Sequence, residues 1–300
     1  MAVVSILLAL SLGPLLFGIV NRTKAVFAGR TGQPLLQTYY DVVKCLSKGA
    51  VYSRTTTWVF RAGPVIGLAA PLTALLIVPF AGAPALVAFE GDLILLGGLL
   101  ALGRFATIVA ALDTGSAFEG MGASREAQWA VLTEPALLLA LAALARLSGS
   151  LSLSGMAATL SARTITQGGL GLLLAVGAMA LVFLAENARV PFDDPNTHLE
   201  LTMIHEVMVL DHGGPDLGLI VYGGTVKLWL IGSLLVGVLV PRTAVWPVDL
   251  ALWLAGMVVL AVATGVVESV GTRVRLTRIP QLLLAACIIA ALALILVVVR

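Results

Sequence analysis

Apolar runs long enough to cross a lipid bilayer recur from one end of this chain to the other. They lie at roughly 2–20, 63–81, 93–112, 131–147, 168–185, 217–240, 246–267 and 281–299. A helix of about 17–25 residues spans roughly 30 Å of hydrocarbon, so each run is long enough to cross once. Three hundred residues could form two soluble domains, but with 59% hydrophobic and 11% charged residues the runs set the class. None shows the polar–apolar alternation of a closed barrel. The expectation is one all-α polytopic membrane domain over residues 1–300, with eight transmembrane helices, an amphipathic surface helix and a structured cytoplasmic loop.

Basic residues orient the spans. If the N-terminus faces outward, the inside loops are 21–62, 113–130, 186–216 and 268–280. They carry Arg22, Lys24, Arg30, Lys44, Lys48, Arg54, Arg61, Arg125, Arg189, Arg273, Arg275 and Arg278, whereas the outside loops hold chiefly Arg163 and Arg242. Positive charge concentrates on the cytoplasmic side of membrane proteins, so both termini are expected outside an inner-membrane protein. The first run has basic residues after it and none before it, the pattern of an uncleaved anchor. Topology thus accounts for the basic residues, and a net charge of +2 gives no reason to expect a nucleic-acid partner. Cys45 and Cys287 are too far apart in the chain to suggest a disulfide framework or a cysteine-ligated cluster.

In the first inside loop, QPLLQTYYDVVKCLSK (33–48) places Leu35, Tyr39, Val42, Val43 and Leu46 on one helical stripe. Gln37, Asp41, Lys44 and Lys48 lie opposite, and Pro34 suits a first turn. Such a helix lies along the membrane surface, either as a generic interfacial helix or as a shelf for a partner. Pro64, Pro71 and Pro79 predict a kinked second span, and the Ser-, Thr- and Gly-rich stretch 148–168 predicts a flexible connector. No internal repeat of useful period is visible, which weighs against a transporter built from inverted halves.

Charges inside the spans carry more information. Arg104 lies about eleven residues into the third span and Lys227 about ten into the sixth, near mid-membrane at a rise of 1.5 Å per residue. Burying either alone would cost at least about 2.5 kcal/mol. Glu134, Glu186 and Glu268 sit at the cytoplasmic ends of their spans and are candidates to pair with them. Ion pairs that fix helix register are one reading. A chain of titratable groups that passes protons is the other.

The densest polar segment, ENARVPFDDPNTHLELTMIHEVMVLD (186–211), lies between the fifth and sixth spans. Pro191 and Pro195 keep Val190 to Asp194 extended, and Thr197-His198-Leu199-Glu200 fits a capping box that predicts a helix running to about Leu210. Asp211-His212-Gly213-Gly214-Pro215 then breaks it. His198, His205 and His212 are seven residues apart. On one helix that spacing is about 10.5 Å, too far for two of them to share a zinc ion, so geometry argues against a metal site at these histidines. Each imidazole reads as a proton-exchanging or hydrogen-bonding group.

These motifs resemble the membrane subunit shared by respiratory complex I, where it is the quinone-site subunit (subunit 1 in mitochondria), and by energy-converting membrane-bound nickel–iron hydrogenases, including subunit 4 of formate hydrogenlyase. AENARVPFDDPNTHLELTMIHEVMVLDHGGPDL (185–217) looks like the hydrogenase branch, supported by GRTGQPLLQTYYDVVKCLSK from Gly29 and MGASREAQWAVLTEPALL from Met121. Glu186, Arg189, Pro191, Phe192, Asp193, Pro195, Glu200 and Leu201 match the complex I pattern, whereas Asn196 and His198 stand where that branch carries glutamates.

The resemblance implies a noncatalytic subunit with no metal and no cofactor of its own. It implies nickel–iron and iron–sulfur centres in partners: hydrogenase large and small subunits, a ferredoxin-like iron–sulfur subunit and antiporter-like membrane subunits. It also implies a proton pathway through Arg104, Glu134, Glu186, Glu200, Glu206, Lys227 and Glu268. Docking of the peripheral arm would fall to Arg189, Asp193, Asp194, His198 and His205, with Pro34, Tyr39, Asp41 and Lys44 on the amphipathic shelf. A quinone-reducing complex I subunit and a stand-alone carrier are the alternatives.

Overall fold

A computed structural model describes residues 2–159, 162–193, 204–240, 242–243, 245–271 and 274–299, with backbone only over 162–168. Its helices are α1 (Ala2–Phe27), α2 (Gln37–Leu46), α3 (Trp58–Ile77), α4 (Asp92–Asp113), α5 (Ala117–Ser148), α6 (Leu153–Thr159), α7 (Ala162–Glu186), α8 (Gly214–Leu239), α9 (Trp246–Val270) and α10 (Ile279–Val299). Eight of the helical segments are long and apolar enough to cross a membrane, and no strand forms among the described residues. The chain is an all-α multi-pass membrane protein.

Contacts between helix ends show the eight long helices alternating in direction: Thr57 meets Asp113, Lys24 meets Glu268, and at the opposite end Asp92 meets Leu153. One end of the bundle, its polar end, collects the C-terminal ends of α1, α4, α7 and α9 with the starts of α3, α5, α8 and α10. Asp113 ties it together by accepting from the Thr57 and Phe60 backbone N–H groups at 2.7 and 3.2 Å, which caps α3 from the end of α4. α3 lies between α4 and α8, α10 against α5 and α7, and α1 against α8 and α9. The apolar window of α8 is 67% buried, against 22% for the apolar window ending in α10, so α8 forms the axis and α10 lies at the outside of the bundle. Small residues let α8 in. A Cβ on Gly223 would sit 3.3 Å from the Gly67 carbonyl oxygen, and one on Gly13 3.3 Å from that of Thr225.

Several local expectations are revised. α3 ends at Ile77, so Pro79 lies beyond the helix, while Pro64 and Pro71 remain inside. The stretch 148–168 is not simply a flexible connector. It contains α6, whose start is held by buried Asp92, which accepts from the Leu153 N–H at 2.7 Å and the Ser152 hydroxyl at 2.8 Å. α7 breaks at Gly169, whose φ of 55° and ψ of −140° suit glycine alone. α5 begins at Ala117, well before the apolar run at 131, because Glu119, Gly122 and Ala123 are buried against the loop that precedes α8.

α2 packs on α8 where Gly218 leaves room; a Cβ there would lie 3.2 Å from that of Cys45. Thr38 is its buried residue, whereas Leu35, Leu36, Tyr40, Val43 and Leu46 remain exposed, an apolar face suited to lipid. The Tyr39 hydroxyl donates to the Ser11 carbonyl on α1, and burial raises its pKa. Pro34 precedes the helix, its carbonyl accepting from the Gln37 N–H at 3.0 Å. Asp41 accepts from the Gln37 amide at 2.8 Å, and Lys44 is exposed.

Candidate functional site

α4, α5, α7 and α8 bring five charged groups together. Arg104 on α4 places each guanidinium nitrogen on a different carboxylate: Nε is 3.1 Å from Glu126, Nη1 is 2.6 Å from Glu134, and Nη2 contacts Glu186. Lys227 Nζ is 3.8 Å from the second Glu186 oxygen. The side chains of Arg104 and Glu186 are 7% and 2% exposed, so neither charge can rely on solvent. A planar fork of five donors meets three acceptors from two helices, which a lysine could not do. Glu126 and Glu134 lie eight residues apart on α5, about 80° around its axis and about 12 Å along it, and straddle the guanidinium.

Glu268 belongs to a second cluster. Its side chain is fully buried, with Lys24 Nζ at 2.7 Å and Arg189 Nη1 at 3.1 Å. The Arg189 guanidinium stacks 4.3 Å above the Phe17 ring, which holds the start of the polar loop against α1. Arg189 Nε and Nη2 are buried without a hydrogen-bond partner among the described residues. The loop is anchored again by Phe192, buried with Trp129, Ile204, Ile279 and Leu283, and Val190–Pro191 is a cis peptide.

Further along the loop, Asp193 accepts from the His205 backbone N–H at 3.1 Å, and Glu119 on α5 accepts from that of Asp211 at 3.1 Å. These side chains take over backbone donors, so residues 204–210 do not continue a long α-helix. Among them only a 3-10 turn at Val207–Val209 is regular. Packing requires this path to run close to α5, since a Cβ on Gly122 would sit 2.3 Å from Val207 Cγ1. Asp194, His198 and Glu200, with the expected capping box, lie outside the described residues.

Two cavities flank the central cluster. One of about 70 Å³ is lined by Arg104, Glu126, His205, His212 and Lys227. The other, of about 400 Å³, is lined by Glu186, Arg189, Asp193, His205, Glu206 and Lys227, with Phe17 and Leu217 among its apolar walls. Burial and the Lys227 charge push the His205 pKa down to about 4, leaving its imidazole neutral at neutral pH. Among the described residues no three His, Cys, Asp or Glu side chains converge to hold a metal ion.

The candidates identified in the sequence thus divide. Arg104, Glu134, Glu186 and Lys227 come together; Glu268 joins Arg189 instead; His205 and Glu206 line the larger cavity. Glu126, Lys24 and Glu119 were missed. Glu126 had a signal, since it falls two turns before Glu134 on a helix that must start early to place it. Lys24 and Glu119 had none, because partners at the bundle's polar end come from distant segments.

A sequence profile of the NADH dehydrogenase family matches residues 1–299. Formate hydrogenlyase subunit 4 of Escherichia coli (strain K12) is 33% identical, covering 88% of this chain and 83% of its own length. Hydrogenase-4 component C of the same organism is 32% identical over 86% and 80%. A NADH-quinone oxidoreductase subunit of Verminephrobacter eiseniae (strain EF01-2) is 26% identical over 81% and 69%. The fold is shared with a chain in the structure of membrane-bound sulfane sulfur reductase, an archaeal respiratory membrane complex, at a TM-score of 0.84, 23% identity and coverage of 99% and 98%. With that profile matching nearly the whole chain and two relatives above 30% identity covered over most of their length, the chain belongs to the NADH dehydrogenase family, that of complex I subunit 1.

Proposed function

We propose that this chain is a noncatalytic membrane subunit of a nickel–iron hydrogenase complex of the formate hydrogenlyase type, which seats the peripheral redox arm and carries protons between that arm and antiporter-like membrane subunits. One observation carries the reading: a buried guanidinium holds three carboxylates beside a lysine, next to cavities that reach the polar loop. A purely structural pair needs one carboxylate, and burying charges in hydrocarbon stabilises less than apolar packing would. Three carboxylates against two cations suit a cluster whose proton content changes. The two hydrogenase-type relatives, each above 30% identity, favour this branch.

In this reading the polar end faces the cytoplasm of an inner membrane, with both termini on the opposite side. The large and small hydrogenase subunits and a ferredoxin-like subunit sit on that end and hold the metal centres. Glu186, Glu126, Glu134 and Lys227 exchange protons around Arg104. Arg189 is buried, so its influence on docking runs through the shape of the loop, as does that of Asp193. Exposed Lys44 and the lipid-facing side of α2 form the shelf.

Purification in mild detergent tests the assembly: nickel and iron–sulfur subunits should come down together with this chain. Glu186→Gln should lower coupled turnover by at least about tenfold in an intact complex, the scale of a lost proton-transfer group. Quinone reduction by a complex without nickel would instead support a complex I role. Unchanged proton movement in Glu186→Gln would reduce the cluster to a structural part.

A further inference from the structure

The two cavities share a wall. His205, His212 and Lys227 line both, along with Ile220 and Gly224. On one side lie Arg104 and Glu126; on the other lie Glu186 and Glu206. Packing alone gives no reason for two imidazoles and an ammonium in such a position. Apolar side chains would seal it without the roughly 1–3 kcal/mol that a buried polar atom lacking a partner costs. His212 is 5% exposed and its Nδ1 has no hydrogen-bond partner among the described residues, so that nitrogen escapes the cost only if a group inside a cavity serves it.

The ring is held by stacking. It lies parallel to Phe60 of α3, with centroids 3.9 Å apart and planes 9° from each other, so its nitrogen-bearing edges stay in one plane. Charged groups surround it from each neighbouring element. Asp211 adjoins it in the loop, Asp216 and Lys227 come from α8, Glu119 and Glu126 from α5, and Arg104 from α4 across the smaller cavity. Burial lowers its pKa, while Asp216 and Asp211 act in the opposite direction. A neutral imidazole with one bare nitrogen can accept a proton and release one from its other nitrogen. At 10–15 Å³ per water the smaller cavity has room for roughly five.

We propose that His212 is a proton relay in this wall, taking protons from the larger cavity and passing them, beside His205 and Lys227, into the chamber of Arg104 and Glu126. The step rests on the proton-coupling reading above. A proton from a water or carboxyl group in the larger cavity forms an N–H bond at the bare ring nitrogen, giving imidazolium. The N–H bond at the other nitrogen then breaks, its proton passes to water in the smaller cavity, and neutral imidazole remains. A half-turn about the Cβ–Cγ bond then leaves the new tautomer as it is but exchanges the sides its nitrogens face, turning the bare nitrogen toward the larger cavity and the N–H toward the smaller one, and the ring returns to its stack on Phe60.

The test uses the whole complex in proteoliposomes, driven by reduced methyl viologen, with proton movement followed by a pH-sensitive dye. His212→Ala should slow that movement at least about tenfold, and free imidazole in the medium should restore much of it, as for a lost acid–base group. His212→Gln, which keeps polarity and approximate size but not titration, should stay slow and settles the matter if the alanine variant does not assemble. Wild-type rates in either variant, or a loss that imidazole does not repair, overturns the relay. Glu186→Gln run in parallel separates the two proposals. If it is slow while His212→Ala is normal, the relay alone falls; if both are normal, proton coupling through this chain falls with it.

Discussion

Replacing Arg104 by methionine removes one of two cations from a cluster of three carboxylates and leaves Lys227 to serve all three. The Glu186 side chain is 2% exposed, so its charge cannot be returned to water. The cluster must bind one proton more than it does in the wild type. At pH 7, protonating a carboxylate of ordinary pKa near 4.3 costs roughly 3.7 kcal/mol, in the range of about 3–5 kcal/mol for breaking a buried pair. The extra proton is bound by the folded variant and not by its unfolded chain, so stability falls as pH rises through this window. The deficit relative to wild type should shrink by about 1.4 kcal/mol per unit, to roughly 1 kcal/mol at pH 5. Denaturant unfolding of the detergent-solubilised chain at both pH values measures this, and Arg104→Met/Glu186→Gln should regain much of the loss at pH 7. A deficit equal at pH 5 and pH 7, or a double variant no better than the single one, would refute the electrostatic account.

Three other perturbations bear on separate parts of the molecule. Glu268→Gln leaves Lys24 and Arg189 beside a neutral side chain that is fully buried, and should cost about 3–5 kcal/mol in unfolding; a change within error would mean the pair is dispensable. Gly122→Ala places a Cβ 2.3 Å from Val207, so it should lift the 204–209 segment off α5, cost about 1–3 kcal/mol and raise protease cutting there, whereas an unchanged cutting pattern would contradict the packing. His205 is held near pH 4 against an ordinary 6.5. Below about pH 6.5 the unfolded chain therefore binds a proton that the folded chain does not, and up to roughly 3 kcal/mol of stability should be lost by pH 4. His205→Gln should flatten that slope, and an identical slope would show that other groups set it.

The membrane class was legible because hydrocarbon thickness fixes how many apolar residues a span needs, a local property that any window of sequence displays. Arg104, Glu134, Glu186 and Lys227 could be singled out for a related reason, since a charge in an apolar run is costly wherever its partner lies. Pairing was a different matter. Helices that alternate in direction place 104 beside 126, 134 and 186, and 24 beside 189 and 268, and no spacing along the chain encodes which helix lies next to which. Glu268 was accordingly grouped with the wrong cations, and Lys24 was counted only as a topological signal.

The polar loop shows the same division. Its prolines, carboxylates and histidines marked it as the functional segment, yet an uninterrupted helix was expected up to Leu210. Asp193 and Glu119 take up backbone donors at His205 and Asp211, and Gly122 lets the loop lie against α5. Local propensity cannot register an acceptor on another helix. The sequence by itself determined the solvent this protein folds in and which residues could not be there by accident. Tertiary packing decided which charges meet, because in a low-dielectric bundle each must find its counter-charge among neighbours supplied by other helices.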